Sequence, residues 1–132
     1  MSTAEASASI SEFAISLLKS FSRGKNAFFS PFSISSALAL AMYGAKSNTL
    51  TELQKALSVK NVHAVGKALG SMLHRYAAMK AVQLSVENTA YLQSGLSLNA
   101  AYKQSVEQEM HCGVQSLDFA GNPDAARKAI NA

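Results

Sequence analysis

Asn26-Ala27-Phe28-Phe29-Ser30-Pro31-Phe32-Ser33-Ile34 joins two different local patterns. Ahead of its apolar part, Arg23-Gly24-Lys25-Asn26 is a polar, glycine-containing cluster of the kind that ends a helix and turns the chain. The triplet Ala27-Phe28-Phe29 then fits a short buried strand. Ser30 precedes Pro31. A serine side chain accepts a free amide of the first helical turn, and a proline at the first position removes only an amide that would have been unpaired. A helix therefore starts at Pro31. Ile34, Ala37, Leu38, Ala39, Leu40, Ala41 and Met42 make it apolar all round, so other structure should enclose it, and Gly44 ends it.

Upstream, Ile10, Phe13, Ala14, Leu17, Leu18 and Phe21 recur at helical spacing behind a small polar leader, Ser2 to Ser9, and Ser9 with Glu12 has the pattern of a capping box. Downstream, Thr49-Leu50-Thr51-Glu52 repeats that pattern ahead of Leu53 and Leu57, with Ser58 as the stop. From Lys60 to Met79, steps of about 100° place Val62, Val65, Leu69, Met72, Leu73, Tyr76 and Met79 on one side of a helix. Lys60, His63, Lys67, His74 and Arg75 gather on the other side. Gly66 and Gly70 each cost such a helix about 1 kcal/mol, so tertiary packing must hold it. Val82, Leu84, Val86, Asn88, Ala90 and Leu92 then alternate with Gln83, Ser85, Glu87, Thr89 and Tyr91, predicting a long strand closed by Gly95. Asn99 caps a helix carrying Tyr102, Val106 and Met110. Val114 to Phe119 forms another strand, and Asn122-Pro123-Asp124 opens a last helix.

With 48% hydrophobic and 15% charged residues in 132, the chain has a composition suited to a single buried core. A net charge of +4, no tryptophan and no run of Lys or Arg argue against a nucleic-acid partner. No stretch approaches the roughly 20 apolar residues of a membrane span. Cys112 has no partner for an internal disulfide, no Asn-x-Ser/Thr sequon occurs, and the stretch Met1 to Ser11 lacks a basic start and a long apolar run. These features favour the cytoplasm, with unconventional release to the extracellular space as the alternative. The last predicted helix reaches Ala132 without a stop signal, and two strands alone make a poor sheet, so a truncated domain is expected.

Asn26, Phe28, Phe29, Ser30, Pro31, Ser33, Ile34, Ala37, Leu38, Ala39, Met42, Gly44, Ala45, Asn48 and Thr49, in this order and spacing, resemble the amino-terminal part of a serpin. Glu52, Leu53, Leu57, Asn88, Leu117-Asp118-Phe119 and Ile130-Asn131 extend the likeness over most of the chain; Ser47 stands where many members have glycine. The resemblance implies an α+β fold in which residues 1–132 supply early helices and strands of the large central sheet of a single, incomplete domain. It also implies a serine-type endopeptidase inhibitor, not an enzyme. An exposed loop baits a serine or cysteine protease, forms an acyl-enzyme, and inserts into the central sheet as a new strand. That reactive loop is absent from this sequence, so the chain by itself is expected to be inactive. A non-inhibitory serpin acting as carrier or chaperone, and a truncated polyanion-binding protein, are the alternatives.

The resemblance places Ser30, Pro31 and Ser33 in the family's shutter, where compact hydroxyls exchange hydrogen bonds as the sheet opens; the plainer reading makes Ser30 only a helix cap. In some serpins the helix corresponding to Lys60–Met79 binds glycosaminoglycans, which makes Lys60, Lys67 and Arg75 candidate polyanion contacts. No acidic residue occurs between Glu52 and Glu87. Three fixed charges make a thin electrostatic footprint, so a solvated helix face is the favoured reading of them and polyanion binding the alternative. His111-Cys112 is not expected to form a nucleophile, since sequence neighbours seldom reach the geometry for proton transfer. His63 and His74 are about three turns apart, too far to share a metal. Met42, Met72, Met79 and Met110 fall at apolar positions, and no cofactor is expected.

Overall fold

The structure, a computed structural model, describes residues 1–21, 24, 26–79 and 88–132. Among them the elements run α1 (Thr3–Ser20), α2 (Pro31–Gly44), α3 (Ser47–Ala56), α4 (Val62–Ala77), β1 (Thr89–Gln93), α5 (Ala100–Met110), β2 (Gly113–Leu117) and α6 (Pro123–Ile130), an α+β arrangement.

α1 starts well before the expected Ser9. Ser2 Oγ accepts from the Glu5 amide at 3.2 Å, and the Glu5 carboxylate accepts from the Ser2 amide at 2.6 Å, so the capping box forms one pattern earlier and the polar leader is helical. Ser9 lies on the buried side of α1 with Ala6, and its hydroxyl donates to the Leu57 carbonyl, a long-range tie rather than a cap. At α3 the expected box at Thr49 is also absent. The helix begins at Ser47 with no side-chain cap on Lys46, and Thr51 instead donates back to the Ser47 carbonyl at 3.2 Å. The helix stops near the expected place, with Ser58 in the left-handed region at φ 52°.

Pro31 opens α2 as expected, with Ser30 Oγ accepting the Ser33 amide at 3.2 Å. The enclosure predicted for α2 is only half realised. Ser35, Ser36, Ala39 and Met42 are buried, while Ala37 and Ala41 face outward. Ala27–Phe29 is not a strand either. Phe28 is fully exposed, and Phe29 sets its ring edge-on to Phe21 at 5.3 Å. A strand needs a neighbour to take its amides and carbonyls, and among the described residues none lies beside this triplet.

The core joins Ala39 and Met42 of α2, Leu57 and Val59 after α3, Val65 and Leu69 of α4, Val106 and Met110 of α5, and Cys112. The glycines of α4 permit this packing. A side chain at Gly66 would collide with the Tyr43 hydroxyl, and one at Gly70 with the backbone carbonyl of Glu109, so α4 lies against α5 at backbone distance and leaves room for the Tyr43 side chain of α2. Met79, expected on the apolar side, is half-exposed just past the helix end.

β1 and β2 pair in parallel, from Thr89 with Gly113 to Gln93 with Leu117, and α5 is the crossover that parallel pairing demands. The predicted strand from Val82 is seen from Thr89; its residues 82–87 lie outside the described ones. Gly95 turns the chain after β1 at φ 87°. Asn99 and Asn122 cap α5 and α6 through their side-chain oxygens, as expected.

The Ser36 hydroxyl is fully buried and, among the described residues, has no hydrogen-bond partner. Replacing an unsatisfied buried hydroxyl by hydrogen removes a desolvation cost, so Ser36→Ala should raise stability by about 1 kcal/mol. A lower urea midpoint for the variant would mean that the hydroxyl is in fact satisfied.

Candidate functional site

The Ser30–Ser33 pair sits at the exposed start of α2. Ser33 Oγ donates to Ser30 Oγ at 2.9 Å while Ser30 Oγ also accepts the Ser33 amide. Ser30 is therefore a helix cap, and its hydroxyl partner is itself exposed and able to exchange bonds. Pro31, between them, is half-buried. Asn88, beside the sheet, keeps its carbonyl on the Gly113 amide at 2.9 Å, and its side-chain Nδ2 is buried without a partner among the described residues.

The basic residues of α4 are exposed, as their spacing predicted: Lys60 just ahead of the Asn61 cap, Lys67 in mid-helix and Arg75 in the last turn, with His63 and His74 alongside. A rise of 1.5 Å per residue separates Lys67 from Arg75 by about 12 Å along the axis, so the cations form a stripe and not a single cradle. Arg75 flanks a cavity of about 510 Å³ between α1 and α4, lined also by Thr3, Ser7, Met72 and Tyr76.

An acid from another element reaches this stripe. Glu109, in the last turn of α5, accepts from the Tyr43 hydroxyl at 2.5 Å. The same oxygen, Oε2, lies 2.9 Å from His63 Nδ1, and Oε1 is 3.8 Å from Lys67 Nζ. The carboxylate is 19% exposed against 60% for His63 and 68% for Lys67, so it is the inner member of each pair. Tyr43 sets its ring edge-on to His63 at 5.1 Å, and Gly66 leaves the room it occupies. Burial pushes the Glu109 carboxyl up, but hydrogen bonds from Tyr43 and His63 and the charges of His63 and Lys67 outweigh it and hold the group below its ordinary value of 4.5. Burial and the adjacent carboxylate push the Tyr43 phenol far up.

A carboxylate whose folded value is depressed contributes its stability in full above its unfolded value, near pH 4.5, and loses it as the pH falls through the folded value. Urea unfolding should therefore show Glu109→Gln less stable than the parent at about pH 6, with the gap narrowing as the pH is lowered below 4.5. An unchanged gap at the lower pH would mean that the variant acts through packing alone.

Cys112 belongs to the core at 2% exposure. Burial raises its thiol, which is the state of a packing residue and not of an activated nucleophile. His111, next to it, is exposed and takes the left-handed conformation that ends α5. Among the described residues no three His, Cys, Asp or Glu side chains come together as a metal site, and no helix is long and apolar enough to cross a membrane.

The Tyr43–Glu109 bond was not foreseeable from spacing, because its partners lie 66 positions apart on elements with no shared period. One sequence signal did exist: two glycines at helical spacing, Gly66 and Gly70, mark where two other helices approach.

The family described as Serpin (serine protease inhibitor) matches this sequence over residues 8–132, and the chain belongs to that family. Among curated relatives, the leukocyte elastase inhibitor of Sus scrofa is 30% identical, the alignment covering 95% of this chain and 34% of that protein. Intracellular coagulation inhibitor 2 of Tachypleus tridentatus is 28% identical over 92% of this chain and 31% of its own length. Among solved structures, reactive-loop-cleaved human thyroxine-binding globulin superposes with a TM-score of 0.86 at 27% identity, covering 98% of this chain and 40% of that one. The chain thus spans about a third of the length of the curated relatives it matches.

Proposed function

We propose that residues 1–132 are the amino-terminal part of a serpin whose whole protein inhibits a serine or cysteine endopeptidase as a suicide substrate and is not itself an enzyme. The observation that carries this reading is the serpin match across residues 8–132, together with relatives whose names record inhibition. In that protein β1 and β2 belong to the sheet that accepts the cleaved loop. Ser30 and Ser33, a compact hydroxyl pair at the surface of α2, serve as exchangeable hydrogen-bond partners beneath it. We place the protein in the cytoplasm, in line with the relative named as an intracellular inhibitor. The test is to clone the reading frame beyond Ala132, express the whole product and incubate it with a panel of serine and cysteine proteases. A complex that survives denaturing electrophoresis is the expected result. Clean cleavage without any such complex would overturn it and favour a carrier, the reading that the thyroxine-binding globulin likeness supports.

A second reading concerns the α4 stripe. Lys60, Lys67 and Arg75 all face solvent, and a stripe of cations suits an extended polyanion such as a glycosaminoglycan better than a small anion. Elution of the chain from immobilised heparin at no more salt than a charge-matched control would remove this reading.

A further inference from the structure

The polyanion stripe on α4 already holds an anion, and that anion is part of the protein. Of the five exposed basic side chains from Lys60 to Arg75, His63 and Lys67 are engaged by Glu109 of α5, whose position is set from behind by the Tyr43 hydroxyl of α2. The α4 segment itself has no acid, so this carboxylate is delivered across the helix interface, where Gly66 and Gly70 let α2 and α5 approach. We propose that Glu109 is a built-in competitor for the basic face: an extended polyanion must take His63 and Lys67 from it, and binding thereby frees α5 from α4 at this point and leaves Glu109 tied to α2 through Tyr43 alone. The inference rests on the polyanion reading given above and deepens it. It assigns to Glu109 the setting of affinity, and by thermodynamic reciprocity it makes the helix junction responsive to the ligand.

The groups that face the carboxylate are Tyr43 from α2 and His63 and Lys67 from α4. Glu107, two residues earlier on α5 and about 200° round the helix, points away and pairs only with Lys103 at 3.9 Å among the described residues. Glu107→Gln therefore changes net charge by the same amount as Glu109→Gln and leaves the stripe untouched.

The experiment measures heparin binding by the full chain, its Glu109→Gln and Glu107→Gln variants, and a Lys60→Ala/Arg75→Ala double variant. If Glu109 competes, Glu109→Gln binds heparin about threefold more tightly than Glu107→Gln, the scale of one exposed ion pair released. Equal binding by the two glutamine variants, with binding weakened in the double variant, overturns the competitor role and leaves the polyanion reading standing. No binding by any of them overturns both. A measurement that needs no variant guards against a folding defect: the carboxyl carbon resonance of Glu109 in the unsubstituted chain must shift on saturation with heparin, and a resonance that stays in place overturns the proposal.

Discussion

Gly70→Ala is expected to destabilise the chain by about 2 kcal/mol, although the same change in an exposed helix would stabilise it by about 1 kcal/mol. The added carbon would collide with the Glu109 carbonyl oxygen, lie 3.1 Å from the carbonyl carbon and 3.3 Å from a ring carbon of His111. The first two are main chain in the last turn of α5, which cannot retreat without breaking its own hydrogen bonds. Overpacking against such a wall costs about 3 kcal/mol, the upper end of its usual range, and the gain in helix propensity returns about a third of that. Gly66→Ala provides the comparison. There the obstacle is the Tyr43 ring, which can swing aside at the loss of its bond to Glu109, so the penalty should be smaller. Urea midpoints for both variants check the order. A Gly70→Ala protein more stable than the parent would show that α4 and α5 are further apart than described.

Met42→Ala should cost about 2–5 kcal/mol, the range for removing a large aliphatic side chain from a close-packed core. Met42 is 1% exposed, and it stands where α2 meets the buried residues of α4, α5 and Cys112, so the vacated space has walls on several elements and collapses poorly. Met42→Leu, which nearly conserves volume, should stay below about 1.5 kcal/mol. Thermal unfolding of the pair separates the two causes. If both variants lost the same stability, the thioether's shape and not the cavity would be the source.

Much of the architecture was legible because it rests on short-range chemistry. Ser30-Pro31, Asn99 and Asn122-Pro123 announce helix starts through groups only a few residues apart, and the structure puts α2, α5 and α6 where they say. The failures involve choices between equivalent local patterns. Ser2 and Glu5 offer the same box as Ser9 and Glu12, and only the approach of Leu57 decides that Ser9 belongs inside. Phe28 reads as core because it is apolar, yet burial requires a partner surface, and none of the described residues provides one. At the candidate site the basic stripe was visible as spacing, whereas Glu109 and Tyr43 reach it from other helices and leave no periodic trace.

The parallel pairing of β1 with β2 also imposes an order in time. A hairpin can zip from its turn, but these strands cannot align until α5 has formed and carried the chain back beside β1, with Val106 and Met110 docked in the core. Loop closure must be met before that pairing returns any free energy, which makes it a late event, while the contacts of α2 with α3 form between neighbours in sequence and come early. Strands that pair only across such a loop keep bare edges for as long as the pairing is delayed, and a bare edge is where a second chain can add itself most readily.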